Sequence, residues 1–260
     1  MPTRPRVDAA GCHHVINRGV NRCDVFHSSS DKEMFLQIFN KIADIHHVTL
    51  HDYCLMDNHY HLLIETQKEN LSTCMRIVNA NYAQYFNKRY QRSGHLWQDR
   101  YKSKYITSEE YLYMLIRYIE SNPLEAGIST QIGEYPYTLA SCLFNDSEHY
   151  TCSNDSLLIK QFDRQALADF LEIPISPKEL KYLQKKQKQK IDKTEEGIKL
   201  SQSKEFEVHF DDVATKEERN LAIINAYIDG YTQASIATYL GVSKSLVSKI
   251  IKSGDSTPGV

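Results

Sequence analysis

Two histidines lie two residues apart in the segment MDNHYHLLIE, residues 56–65. On a β-strand, residues i and i+2 point to the same face of the sheet, so His59 and His61 would present their imidazoles together. Two neutral nitrogen ligands on one face make half of a divalent-metal site and leave coordination positions open for a substrate. The alternative is a pair of surface histidines on a half-exposed strand, and this short pattern fits both.

A second pair of residues that could do chemistry lies in RYIESNP, residues 117–123. Tyr118 and Asn122 are four residues apart, so they share one face of a predicted helix. Pro123 disfavours the helical conformation at the residue before it, which predicts that the helix ends near Asn122. A tyrosine hydroxyl beside an amide oxygen can be a nucleophile beside a metal ligand. The alternative is a core aromatic and a capping residue, which is common in a chain with 17 tyrosines.

Basic and aromatic residues alternate between residues 76 and 105. The basic ones are Arg76, Lys88, Arg89, Arg92, Arg100, Lys102 and Lys104, and the aromatic ones are Tyr82, Tyr85, Phe86, Tyr90, Trp97, Tyr101 and Tyr105. This mixture neutralises phosphates and stacks on the bases of single strands. A solvated helix face with half-buried aromatics explains the stretch equally well, and the net charge of −2 gives no indication of a nucleic-acid partner.

Hydrophobic periodicity predicts the elements that must position these residues. Strands are predicted at about 12–20, 48–56, 59–65 and 102–107, with a tight turn at Asp57 and Asn58. Helices are predicted after Asp31 as N-cap, over 71–90, and after Ser108 as N-cap. The resulting order predicts an α+β fold, a ferredoxin-like antiparallel sheet with packed helices over about residues 10–145.

The rest of the chain has a different character. Residues 176–205 are rich in Lys and Gln, which predicts an exposed helix or a flexible linker. The segment TQASIATYLGVSKSLVSKIIKS, residues 232–253, predicts a helix-turn-helix whose second helix enters the major groove of double-stranded DNA. The residues expected to contact that DNA are Lys244, Ser245, Ser248 and Lys249. The alternative is a helical hairpin used for dimer packing. We therefore expect a catalytic domain at 1–150, a helical or linker region at 151–212 and a helix-turn-helix region at 213–260.

Composition limits the class of protein. Apolar content of 41% and aromatic content of 10% indicate a globular chain. The longest apolar run, YLYMLI, is too short to span a bilayer, so we expect a cytoplasmic protein without a membrane partner. The six cysteines form no CxxC pair, which favours reduced thiols over a zinc ribbon or a disulfide framework.

The order of four segments resembles a known family. MDNHYHLLIE, GHLWQDRYKSKYI, LIRYIESNPLEAG and YPYTLASCLF resemble the single-tyrosine HUH transposases, and among them the REP-associated tyrosine transposases, over about residues 8–145. The resemblance implies that His59, His61 and Asn122 bind Mg²⁺ or Mn²⁺. It implies that Tyr118 attacks a phosphate of single-stranded DNA, forming a 5'-phosphotyrosine link and freeing a 3'-OH. Tyr111 and Tyr101 are rival nucleophiles.

The resemblance also implies a partner and a location. The expected partner is hairpin DNA, either REP-like or from insertion-sequence ends. The expected location is the cytoplasm, in association with the nucleoid. Further expected DNA contacts are Arg18, Asn21, His95, Trp97, Arg100, Lys102 and Lys104. Both a monomer and a homodimer that exchanges the tyrosine helix are compatible with it. The rival functions are a non-catalytic DNA-binding regulator on a transposase scaffold and a metal hydrolase that uses water.

Overall fold

The computed structural model describes residues 8–145, 155–188, 191–194, 197–200, 206, 209–211, 213, 215–228 and 231–254. The chain divides into two compact units, Met1–Lys186 and Gln187–Val260, each described by itself below.

The first unit is built on one four-stranded sheet. Its leading elements are β1 (Gly11–Arg18), α1 (Ser29–His46), β2 (Val48–Met56), β3 (His59–Thr66), α2 (Leu71–Arg89), β4 (Lys102–Tyr105) and α3 (Glu109–Glu125). The strands lie in the order β2-β3-β1-β4, and every neighbouring pair is antiparallel. This arrangement confirms the predicted ferredoxin-like α+β fold. Four shorter helices follow: α4 (Leu139–Asn145), α5 (Leu157–Gln161), α6 (Arg164–Leu171) and α7 (Pro177–Lys188).

The two faces of the sheet carry different residues. Tyr60 points toward α1 and α2, where its ring lies 4.9 Å from that of Phe35 and its hydroxyl donates to Asn79 Oδ1 at 2.9 Å. Successive strand residues alternate between faces, so His59 and His61 point to the opposite face. That second face meets α3, and the residues that could do chemistry lie between them.

The first helix begins earlier than the sequence predicted. Its N-cap is Ser28, and Asp31 is the third helical residue. The Asp31 carboxylate reaches back to accept from the backbone N–H groups of His27 at 2.9 Å and Ser28 at 3.0 Å. The prediction of Asp31 as N-cap was wrong because a carboxylate at the third position satisfies the free N–H groups from inside the helix. The predicted cap of α3 is confirmed, since Ser108 Oγ accepts from Tyr111 N at 3.3 Å.

The tyrosine helix α3 continues past Pro123 to Glu125, so the end predicted near Asn122 was wrong. Proline has no N–H, and the carbonyl four residues before it, that of Ile119, would lose its partner. The side-chain amide of Asn122 replaces that partner, donating to Ile119 O at 3.3 Å and to Tyr118 O at 2.6 Å. The helix therefore tolerates the proline.

The second unit contains a hairpin and three helices. The hairpin pairs β5 (Ile191–Thr194) with β6 (Gly197–Leu200), and the helices are α8 (Lys216–Ile228), α9 (Gln233–Leu240) and α10 (Lys244–Gly254). Gly241 turns the chain between α9 and α10 with φ of +63°, and Ser243 Oγ caps α10 by accepting from Leu246 N at 3.2 Å. The segment predicted as an exposed helix or linker thus contains α7 and the hairpin. Within the described residues no helix is both long and apolar enough to cross a membrane.

Candidate active site

His59 and His61 lie side by side on the sheet face that meets α3. Their ring centroids are 5.1 Å apart and their planes cross at 80°. Burial lowers the pKa of His59, with a smaller effect from Arg18, and lowers the pKa of His61 well below its usual value. Both imidazoles are therefore neutral near pH 7, which is the protonation state that binds metals.

Hydrogen bonds leave one nitrogen of each ring for a ligand. His59 Nδ1 lies 2.6 Å from Asn58 Oδ1. An amide oxygen only accepts, so the proton is on Nδ1 and Nε2 has a free lone pair. His61 Nδ1 lies 2.9 Å from Nε2 of a third histidine, His14 of β1. The nitrogen of His61 that remains is again Nε2.

Helix α3 places Tyr118 next to His61 and His14. The ring centroid of Tyr118 lies 5.7 Å from that of His61 and 6.5 Å from that of His14, edge-to-face in both pairs. Burial raises the pKa of Tyr118, with smaller contributions from Glu125 and Cys54. The phenol is therefore protonated near neutral pH, and the protein groups around it do not activate it by themselves.

Asn122 lies one helical turn beyond Tyr118 and is buried. Its donations to Tyr118 O and Ile119 O both come from Nδ2. The oxygen Oδ1 is therefore the atom left for a cation. Within the described part of the chain, no hydrogen bond joins Asn122 to His59 or His61. The ring contacts bring Tyr118 to His61 and His14, and His61 to His59.

The donor set suits a divalent cation. The predicted ligands offer two neutral imidazole nitrogens and one amide oxygen, and none of these three atoms takes part in the hydrogen bonds described above. Three protein ligands leave coordination positions for a phosphate and for water. The residues present therefore fit the Mg²⁺ or Mn²⁺ that was expected.

Three of the predicted DNA contacts border this site. In the antiparallel register Arg18 pairs with His59, Lys102 with Ile16 and Lys104 with His14, so all three share the face of the histidines. Arg18 and Lys102 are exposed, and Lys104 is half-buried. A positive border next to the histidines favours binding of a phosphate backbone.

Asn21 lies in the turn after β1 beside Arg22, which was not among the predicted contacts. Both residues are exposed and adopt left-handed backbone conformations, with φ of 51° and 60°. The turn is held next to His59, because Gly19 N donates to Asn58 O at 2.9 Å. Strained backbone of this kind is found at functional sites. Arg22 directly follows the predicted contact Asn21, and this position was the sequence signal that could have identified Arg22.

The remaining predicted contacts lie in the loop between α2 and β4. His95 and Arg100 are exposed. Trp97 is half-buried, with Nε1 donating to Asn79 O at 3.0 Å and its ring 5.6 Å from that of Tyr60. The indole of Trp97 thus packs on the far side of the sheet from the histidines.

In the second unit, four predicted contacts line one groove. Lys244, Ser245, Ser248 and Lys249 of α10, together with Gln233 of α9, surround a groove of about 450 Å³. Two lysines and three hydroxyl or amide groups at the surface of one helix pair match the chemistry of a phosphate backbone.

Glu120 of α3 and Asp52 of β2 form a buried acidic pair. No sequence pattern indicated this pair. Burial raises the pKa of Glu120 to about 7, and burial followed by the nearby Glu120 raises that of Asp52 well above its usual value. Glu120 Oε1 also accepts from Ala140 N at 2.8 Å. Two carboxyls in one apolar place cannot both ionise at neutral pH without a large cost, so the pair retains a proton.

We expect this pair to make stability fall as pH rises. The folded-state pKa of Glu120 is raised, so from about pH 4.5 to 7 the folded chain holds a proton that the unfolded chain has released. The loss should reach about 3 kcal/mol by pH 8. Glu120→Gln should remove most of this loss of unfolding free energy. The measurement is urea unfolding of wild type and variant at pH 5 and pH 8. Equal pH dependence in the two proteins would contradict this assignment, because the histidine contributions are common to both.

A second cluster of metal-ligand types lies elsewhere on the sheet. Ligand atoms of Cys12, His51 and Glu65 lie within 4.8 Å of one another. However, His51 Nδ1 accepts from Leu157 N at 3.1 Å, so Nε2 carries the proton and donates to Glu65 Oε2 at 2.8 Å. Burial raises the pKa of the Cys12 thiol to about 11. A cation would have to displace both protons, so this cluster is a hydrogen-bonded histidine–glutamate pair in its present form.

The chain is similar to one known protein family over less than half of its length. Residues 10–122 match the model of a family described as "Transposase IS200 like". This part of the chain is similar to the IS200-like transposases. The IS200-like segment contains β1 to β4 and most of α3, and its last residue is Asn122. The family resemblance predicted from the motif order is thus confirmed.

No curated protein matches the chain. Seven chains of solved structures match it, among them one described as "Structure of the REP associates tyrosine transposase bound to a REP hairpin". That structure is 14% identical and covers 63% of this chain and 95% of its own, with a TM-score of 0.46.

Proposed function

We propose that the protein is a metal-dependent single-stranded DNA endonuclease and strand transferase, acting at hairpin-associated sites through a 5'-phosphotyrosine intermediate on Tyr118. The observation that carries the proposal is the position of the Tyr118 ring, edge-on to His61 at 5.7 Å in the same chain. A hydrolase that uses water has no need of a phenol at that place. The IS200-like family supports an enzyme that acts on DNA.

Each residue has a defined role in the proposed reaction. His59 Nε2, His61 Nε2 and Asn122 Oδ1 would hold Mg²⁺ or Mn²⁺, which would supply positive charge to polarise the scissile phosphate and offset its developing negative charge. Tyr118 Oη loses its proton to solvent and bonds to phosphorus. The bond from phosphorus to the 3' oxygen breaks, and that oxygen leaves as a 3'-OH after taking a proton. A 3'-OH can later attack the phosphotyrosine, which reseals the strand without external energy.

The experiment must select the DNA substrate from a pool, because the cognate hairpin is unknown. Wild-type protein is incubated with Mn²⁺ and a labelled pool of hairpin oligonucleotides whose flanking nucleotides are randomised, and species that survive SDS are isolated. We expect covalent protein–DNA species whose captured strands share one flanking sequence. Cleaved DNA without a covalent species would favour the hydrolase, and tight duplex binding without any cleavage would favour the regulator.

The lysines at the border of the site should contribute charge to single-strand binding. Each lysine that neutralises a phosphate adds about 0.7 to the slope of log affinity against log salt for single strands, so Lys102→Gln with Lys104→Gln should lower that slope by about 1.4. The control is Lys41→Gln, because Lys41 is exposed on α1, which covers the other face of the sheet. The slopes are measured by fluorescence anisotropy over a NaCl series. If the double variant had the wild-type slope, Lys102 and Lys104 would not contact the DNA phosphates.

We also propose that the second unit binds double-stranded DNA through α10. The groove formed by Gln233, Lys244, Ser245, Ser248 and Lys249 supports this, because its donors suit phosphate oxygens. Duplex binding of this origin is independent of divalent cations and of Tyr118. It is measured by anisotropy on duplex DNA in EDTA.

A further inference from the structure

The third histidine, His14, has no role in the function proposed so far. It lies on β1 with an exposed fraction of 0%, and its ring stacks on that of His61 with centroids 5.1 Å apart. Its Nε2 lies 2.9 Å from His61 Nδ1. Its other nitrogen, Nδ1, is buried and has no hydrogen-bond partner among the described residues.

One proton must lie between the two rings, and it can belong to either. Both rings are buried, and burial disfavours the charged imidazolium, so each ring is neutral and carries one proton. In the first arrangement His14 Nε2–H donates to His61 Nδ1, and the remaining proton of His61 is then on Nε2. In the second, His61 Nδ1–H donates to His14 Nε2, and His61 Nε2 carries a lone pair.

The environment of His14 Nδ1 favours the first arrangement when no cation is bound. In that arrangement the buried Nδ1 is an acceptor without a partner among the described residues, whereas in the second it is an N–H without one. Buried N–H groups without partners are the rarer and costlier of the two. A cation, however, can bind only the lone pair of His61 Nε2, which exists only in the second arrangement.

We propose that His14 is a positioning residue that sets the tautomer and the ring orientation of His61, and that cation binding moves the shared proton from His14 to His61. This rests on the proposed function, in which His61 is a metal ligand. The shift balances without net proton release. The proton on His14 Nε2 moves to His61 Nδ1. His61 Nε2 releases its proton to solvent, and His14 Nδ1 takes up one proton from solvent. His61 Nε2 is then directed to the cation beside Tyr118.

His13 offers a matched control on the same strand. It is as buried as His14 but points to the opposite face, where its ring bonds to Ala9 O at 2.8 Å and Ser103 Oγ at 3.2 Å. A change at His13 therefore tests the cost of replacing a buried histidine in β1 without touching His61.

The test is imidazole nitrogen NMR of the full-length ¹⁵N-labelled protein, with and without Mg²⁺, together with Mg²⁺ titration of variants. We expect His61 Nδ1 to be unprotonated without Mg²⁺ and protonated with it, and His14→Phe to bind Mg²⁺ about 10- to 100-fold more weakly. His14→Gln should restore binding, because its side-chain oxygen can accept from His61 Nδ1–H, and His13→Phe should bind as wild type.

Three outcomes separate this inference from the proposed function. Wild-type Mg²⁺ affinity in His14→Phe, with binding strongly weakened in His59→Ala, would overturn the role of His14 alone. A His61 tautomer that Mg²⁺ does not change would overturn it too, and this result needs only wild-type protein, so it holds even where His14→Phe does not fold. No Mg²⁺ binding by wild type, or equal binding by His59→Ala, would overturn the metal site and the inference together.

Discussion

Tyr118→Phe should abolish covalent capture of hairpin DNA and lower strand cleavage by at least about 10³-fold. The substitution removes only the nucleophilic oxygen, because the phenyl ring keeps the edge-to-face packing on His61 and His14. Folding and DNA affinity should therefore be close to wild type. The measurement is SDS-stable adduct and cleaved strand, quantified on the sequence that the randomised pool selects.

Tyr111 on the same helix provides the matched control. Its exposed fraction is 1%, its hydroxyl has no hydrogen-bond partner among the described residues, and burial raises its pKa. A phenol in that position cannot reach a DNA strand or ionise readily, so Tyr111→Phe should retain full adduct formation. If the adduct persisted in Tyr118→Phe and vanished in Tyr111→Phe, the nucleophile would be Tyr111, and its assignment to Tyr118 would be wrong.

His59→Ala should weaken Mn²⁺ binding by about 100-fold or more and lower cleavage in parallel. His59 has its Nδ1 hydrogen-bonded to Asn58 and its Nε2 free, so the substitution removes a ligand that is already oriented. The affinity is measured by electron paramagnetic resonance of free Mn²⁺ during titration, in the absence of DNA. This readout does not depend on knowing the substrate.

The second cluster on the sheet supplies the counter-test for this prediction. His51 is as plausible a ligand by residue type, but its Nε2 proton is used in the bond to Glu65 and its Nδ1 accepts from Leu157 N. We expect His51→Ala to bind Mn²⁺ as wild type. The opposite pattern, with binding abolished in His51→Ala and kept in His59→Ala, would move the metal site to the Cys12, His51 and Glu65 cluster.

Local pattern was sufficient for much of the fold. The period-two alternation of β3 placed His59 and His61 on one face, and hydrophobic periodicity with a serine cap located α3. The ends of the helices were less accessible, since the start of α1 depended on how Asp31 reaches back, and the end of α3 depended on Asn122 replacing the partner that Pro123 removes. In both cases a side chain makes a hydrogen bond to a backbone group that has no helical partner. Helix propensities of single residues do not predict such bonds.

The site was less predictable than the fold because it is formed by contacts between distant segments. Tyr118 was linked to His61 by the order of motifs in a family and not by any physical pattern within the sequence. His14 resembled one more residue of a buried strand, and its contact with His61 depends on the register of β1 against β3. Asp52 and Glu120 meet only because α3 crosses β2, so the sequence carried no sign of their shared proton.

The covalent link between Tyr118 and DNA is tested most directly by tandem mass spectrometry of the isolated adduct. The captured protein is digested with nuclease and trypsin, and the tyrosine that carries the residual nucleotide is located by fragmentation. We predict a 5'-linked nucleotide on Tyr118. A nucleotide on another tyrosine, or cleaved DNA with no modified tyrosine at all, would contradict the proposed mechanism.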